Sequence, residues 1–278
     1  MADERPLFFD TDGASLFGIL HEGNGAAPRR GLVLVVGGPQ YRVGSHRQFV
    51  LLARDVAAAG FPVLRFDYRG MGDSTGPCVD FEDIGDDIGA AVDTLCTQCP
   101  SVKAVTLWGL CDAASAAMFY AGRNADSRID SLVLLNPWVR TEAGEARAQA
   151  SGYYGSQLTS AAAWLSLLRN PGRVFRVIAN LVGVARRSVA KEDAPEAALP
   201  ERVMTSLDAF AGKALLLISG NDLTAREFLG AADADERCVR AIDTGRVSRC
   251  DLADADHTFS TAAWRDWVAQ QTIAWLAR

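Results

Sequence analysis

Cys111, Asp222 and His257 are the side chains of this sequence whose types and order could do nucleophilic chemistry together. Cys111 stands at the apex of Trp108-Gly109-Leu110-Cys111-Asp112-Ala113-Ala114, where a short apolar run of β-propensity gives way at once to the alanine-rich stretch 113–121, a strong helix former. A side chain presented at the tip of a strand–turn–helix needs small residues two positions before and after it. Anything larger would collide with the adjoining backbone, and Gly109 and Ala113 meet that need. Taken alone the pattern is loose, since a free cysteine is often only a small buried hydrophobe. Asp222 ends a turn after the apolar stretch 214–219, and His257, one of three histidines, lies on the loop after a stretch beginning at Arg249. By itself Asp222 would be an ordinary turn residue after Gly220-Asn221. With the other two it completes the chain order nucleophile, acid, base, in which imidazole takes the thiol proton and a carboxylate fixes the imidazole tautomer.

Elements that could bring these three together follow from the hydrophobic pattern. Residues 7–10 and 16–21 flank Asp12-Gly13 as a hairpin at a sheet edge. Residues 32–36 form a continuous apolar strand, as a parallel sheet buried on both faces requires. A loop over 37–45 follows, then a helix through Phe49, Leu52, Ala53, Val56 and Ala57, ended by Gly60. A strand over 62–66, a helix over 81–95, the Cys111 strand and helix, a strand over 132–135, two strands delivering Asp222 and His257, and a closing helix over 260–276 complete the series. In the closing helix Trp264, Val268, Thr272 and Trp275 share a face. This alternation predicts an α/β fold with a mostly parallel, doubly wound sheet of about eight strands. Reactive side chains are expected at the carboxyl ends of its strands.

One insertion breaks the rhythm. Residues 137–206 hold no convincing strand but several helical patterns, which predicts a helical cap between core segments 1–136 and 207–278, overhanging the Cys111 turn. Between 146 and 191 the cap carries no Asp or Glu, yet holds Arg147, Arg169, Arg173, Arg176, Arg186, Arg187 and Lys191. Most amphipathic helices of this kind pack an apolar stripe on a core; the sharper reading is a membrane-surface or acyl-chain role.

Composition narrows the classes. At 278 residues and 49% hydrophobic, the chain can bury most of what its unfolded form exposes. A net charge of −6 disfavours nucleic acid as partner. The charged start lacks a signal-peptide core, and no apolar run approaches the ~20 residues that span a bilayer. Six cysteines form no tight framework, and Cys96-Thr97-Gln98-Cys99 has no second pair to complete a zinc site. A reducing cytoplasm is therefore the expected location, with neither metal nor cofactor.

The chain resembles the α/β-hydrolase superfamily over nearly its whole length. The likeness is carried by the turn around Cys111, the order Cys111, Asp222, His257, and Asp67-Tyr68-Arg69-Gly70-Met71-Gly72-Asp73-Ser74, which is similar to the D-x-R-G-x-G-x-S loop of esterase- and peptidase-type members. A cysteine at the apex is a feature shared with dienelactone hydrolases. A closer likeness, to bacterial α/β-hydrolases found with exosortase and exopolysaccharide gene systems, rests on 36–49, 108–115 and 134–140. The resemblance implies an α/β-hydrolase fold and a hydrolase with catalytic Cys111, His257 and Asp222. The oxyanion donors it implies are the amide of Asp112 and that of Gly38, with Gln40 in reserve should the alignment put the donor on Pro39, which has no N–H. The Asp112 carboxylate is then an awkward neighbour, expected to point away or to pair with Arg42 or Arg69.

The expected substrate is a small-molecule acyl ester or thioester, with peripheral membrane contact through the basic cap as a further option. A thiolate forms a thioester acyl-enzyme, so activated acyl groups suit it better than amides. Two rivals share the residues: an acyltransferase using the same triad with a saccharide acceptor, and a binding protein that keeps the fold with little or no turnover.

Overall fold

The Asp12-Gly13 turn folds the first two strands together. β1 (Glu4–Thr11) and β2 (Ala14–His21) pair antiparallel with Thr11 opposite Ala14, and Gly13 adopts φ 78° between them. β3 (Arg30–Val35), β4 (Val63–Asp67), β5 (Ala104–Leu110), β6 (Ile129–Leu135), β7 (Lys213–Ser219) and β8 (Val247–Leu252) complete one eight-stranded sheet in the order β1-β2-β4-β3-β5-β6-β7-β8. β2 meets β4 antiparallel, and every pairing from β4 through β8 is parallel. This computed structural model describes all residues except 1–3, 24–28, 39, 125 and 141–196. The chain divides into two units, Met1–Val139 with Pro200–Arg278, and Arg140–Leu199. Of the inserted stretch expected over 137–206, residues 141–196, with the basic residues named above, lie outside the described residues.

Seven α-helices lie among the described residues: α1 (Gln48–Ala58), α2 (Gly85–Gln98), α3 (Asp112–Arg123), α4 (Leu199–Ala209), α5 (Leu223–Ala234), α6 (Glu236–Asp243) and α7 (Ala262–Leu276). Alternation along the strands decides which helix covers which face. Leu32, Leu34, Trp108, Val133, Leu135, Leu215 and Leu217 pack in one cluster with Phe49, Leu52 and Val56 of α1 and Val268, Trp275 and Leu276 of α7. Gly31 points the other way, where a Cβ would lie 2.9 Å from Leu95 of α2. Trp108 is 1% exposed and meets Phe49 edge to face, with ring centroids 5.7 Å apart. Removing so large a core side chain typically costs about 3–5 kcal/mol.

One helix starts differently from the sequence reading. The segment expected as a single helix over 81–95 begins with a 3-10 turn, Phe81–Asp83, and α2 starts only at Gly85. Asp80 accepts a hydrogen bond from the Glu82 amide, and that local side-chain-to-backbone bond competes with a helical start.

Candidate active site

Cys111 joins β5 to α3 with φ 63° and ψ −125°, a conformation L-residues rarely adopt. Strain of this sort costs about 1–3 kcal/mol and persists only where the surroundings impose it. Here they do: the Cys111 amide donates to the Leu135 carbonyl at 2.9 Å, and the Cys111 carbonyl accepts from the Trp138 amide at 3.1 Å. Close packing explains the small neighbours. A Cβ on Gly109 would lie 2.5 Å from the carbonyl atoms of Ala113, and one on Gly37 would lie 2.7 Å from the Ala113 nitrogen.

β7 ends in the turn that places Asp222, and Asp222 is also the N-cap of α5. Its oxygens accept from the amides of Thr224 at 3.2 Å and Ala225 at 3.0 Å, which fixes the carboxylate against the helix start. The loop after β8 carries His257, whose Nδ1 lies 2.8 Å from Asp222 Oδ2. Cys111 is the other side chain near enough to the imidazole to bear on its protonation. Burial pulls the His257 pKa down, but the bond to Asp222 and the neighbouring Cys111 outweigh it and lift it to about 10. Burial likewise works to raise the Asp222 pKa, and the bonds from His257 and the two amides hold it below the usual value. Imidazole and carboxylate are thus hydrogen-bonded, and the three side chains follow the carboxyl ends of β5, β7 and β8.

Asn136 is the site residue that sequence reasoning missed. It follows β6 in the Leu134-Leu135-Asn136-Pro137-Trp138 stretch and is fully buried at φ 42°. Its Nδ2 donates to the His257 carbonyl at 3.0 Å and to Ser219 Oγ at 2.8 Å, while its Oδ1 accepts from the Ser219 amide at 2.9 Å. One amide side chain therefore ties the end of β7 to the loop that carries His257. Asp67 does the same for the loop after β3. Its buried carboxylate accepts from the Arg42 amide at 2.6 Å and from the Asp73 amide at 3.0 Å, and it forms an ion pair with the Arg42 guanidinium. A Cβ on Gly72 would lie 2.1 Å from that carboxylate, which explains the second glycine of the D-x-R-G-x-G-x-S loop.

Around the expected oxyanion donors the geometry departs from the sequence reading. The Gly38 amide donates to Asp112 Oδ2 at 2.7 Å, and the Ala113 amide to Asp112 Oδ1 at 2.9 Å. Asp112 neither points away nor pairs with Arg42 or Arg69. Arg42 bonds Asp67 and Asp73, and Arg69 bonds Asp87, so both guanidinium groups are engaged by other carboxylates. Burial pushes the Asp112 pKa up against the opposing pull of the amides. Gln40 turns its Oε1 toward the amide and hydroxyl of Ser45, at 3.0 and 3.3 Å, and Pro39 lies outside the described residues.

A cavity of about 320 Å³ lies at the opposite edge of the sheet, lined by Arg30, Asp130, Lys213, Trp275 and Arg278 at the amino ends of the strands. Open α/β sheets bind ligands at the carboxyl ends, so this cavity is not the candidate site. Among the described residues, no group of three or more His, Cys, Asp or Glu could hold a metal ion, and no helix is long and apolar enough to cross a membrane.

A family model described as alpha/beta hydrolase fold matches residues 32–179, more than half of the chain. No curated protein matches the sequence. Among solved structures, an esterase from Pyrococcus furiosus is similar at 17% identity, with 100% of this chain and 91% of that one covered and a TM-score of 0.68. Dienelactone hydrolase from Anabaena variabilis is similar at 14% identity, covering 99% and 97%, with a TM-score of 0.63. A putative alpha/beta hydrolase from Agrobacterium tumefaciens is similar at 15% identity, covering 99% and 95%, with a TM-score of 0.60. At such identities these likenesses show a shared fold.

Proposed function

The chain belongs to the alpha/beta hydrolase fold family, and from that premise we propose that it cleaves an ester or thioester through Cys111, His257 and Asp222. The observation that carries the reading is the His257 ring, hydrogen-bonded through Nδ1 to the Asp222 carboxylate at 2.8 Å, with Cys111 as its other electrostatic neighbour. The names of two structural neighbours, an esterase and a dienelactone hydrolase, support ester chemistry for this fold. In this mechanism His257 takes the Cys111 proton as sulfur bonds to the acyl carbon. Asp222, accepting from Nδ1, stabilises the imidazolium. Collapse of the tetrahedral intermediate breaks the bond to the leaving alkoxide or thiolate, which receives the proton from His257. Water, deprotonated by His257, then attacks the thioester and releases the acid and the Cys111 thiol. A link to exopolysaccharide production rests on sequence motifs alone.

The test measures hydrolysis of a short-chain aryl ester and the matching thioester by the wild-type chain and by Cys111→Ala. Turnover is expected to fall at least about a thousandfold, as loss of a nucleophile does elsewhere. Undiminished turnover by the variant removes Cys111 from the reaction.

A further inference from the structure

The amides around α3's first turn point at an anion that the chain itself provides. Gly38 and Ala113 donate to the two oxygens of Asp112 at 2.7 and 2.9 Å, which holds the carboxylate beside the helix start that carries the Asp112 amide. The amides of Gly38 and Asp112 are the two donors that an acyl oxyanion would need beside Cys111. Unpaired amides at a helix start, with the positive end of the helix dipole, favour a negative group at this spot. The loop after β3 is shaped for it: a Cβ on Gly37 would lie 2.0 Å from Asp112 Oδ1. No described cation pairs with Asp112, so its hydrogen bonds among the described residues come from backbone amides.

We propose that the Asp112 carboxylate occupies the oxyanion hole of this enzyme, and that an acyl substrate reacts at Cys111 only by displacing it. This deepens the Cys111 reading above and rests on it. A charge-assisted hydrogen bond is roughly twice as strong as one to a neutral carbonyl, so a substrate's ester oxygen competes poorly with Asp112. An oxyanion competes on equal terms, but only after the carboxylate has left. Asp112 thus holds back acylation without touching the reacting thiol.

Two reagents separate the hole from the nucleophile. Acylation of Cys111 by an aryl acetate, read as the burst of released phenol, uses thiol and hole together; alkylation by iodoacetamide uses the thiol alone. For Asp112→Ala the ratio of acylation to alkylation rates should rise about tenfold, with Asp112→Asn, which keeps a neutral acceptor, falling between. A ratio that stays level or drops overturns the proposal. Independently of activity, the Gly38 amide proton should move upfield by NMR in Asp112→Ala. An unmoved resonance in a folded variant also overturns it. If Cys111→Ala turns over the aryl acetate like wild type, the Cys111 reading fails, an outcome distinct from either of these.

Discussion

Asn136 shows how much of a site can depend on a residue with no reactive group. Its side chain holds the His257 carbonyl and both the hydroxyl and amide of Ser219, so Asn136→Ala would leave buried partners unpaired at His257 and at the end of β7. Leaving such groups unsatisfied costs about 1–3 kcal/mol. Misplacing a reacting group by an ångström can cost about a hundredfold in rate. The expected outcome is therefore a kcat lowered by up to about a hundredfold with KM nearly constant, alongside a modest fall in Tm. A lower Tm with unchanged kcat would make Asn136 structural only. Cys111, Asp222 and His257 were legible in the sequence because each carries chemistry and each follows an apolar run. Asn136 was not: its motif stood out, but nothing in the sequence says that its side chain reaches a carbonyl 121 residues away. The carboxylate of Asp112 was not legible. Its direction is decided by Gly37 and Gly38, on another loop.

The turn between β5 and α3 works because strand and helix nearly touch, and glycine is what allows the approach. Gly109→Ala would drive a Cβ to 2.5 Å from the Ala113 backbone, which cannot yield without moving α3 and Cys111 with it. A loss of stability on the order of 3 kcal/mol or more is expected, read by denaturant unfolding. Gly230→Ala is the matched control. Gly230 lies exposed in α5, and a Cβ placed there would meet nothing within 4 Å, so the same change should stabilise by about 0.5–1 kcal/mol. Equal effects at the two glycines would refute the close-approach argument. Strands and long helices were readable because burial on both faces gives unbroken apolar runs such as 32–36, and one-sided burial gives the spacing seen in α1. α5 and α6 escaped because they bury few large apolar side chains, so no sustained apolar stripe marks them. The N-cap signal for α5 is Asp222 itself, a residue serving both helix start and imidazole, and one side chain cannot announce both roles.

Arg30 at the first residue of β3 binds distant parts of the fold to one another. Its Nε donates to Asp130 of β6 at 3.0 Å, and its other guanidinium nitrogens reach that carboxylate and the carbonyl of Leu276, the last residue of α7. The last of these closes a loop of 246 residues, joining a central strand to the helix that completes the α1–α7 layer. Both side chains are only about a quarter to a third exposed (25% and 30%), so the contact is neither a solvated surface pair nor a fully buried one. Hydrogen bonds to charged groups in such settings contribute about 1.5–3 kcal/mol. Arg30 also sits at the amino ends of the strands, the edge opposite Cys111, and a parallel sheet keeps its two edges chemically separate. Arg30→Met should therefore lower the unfolding free energy by roughly 1–3 kcal/mol while leaving kcat/KM for the aryl ester unchanged at temperatures where the variant is folded. Stability is measured by urea titration and activity on the same samples. A folded Arg30→Met with impaired turnover would mean that the two edges communicate, and that the site depends on the docking of α7 as well as on the loops that carry it.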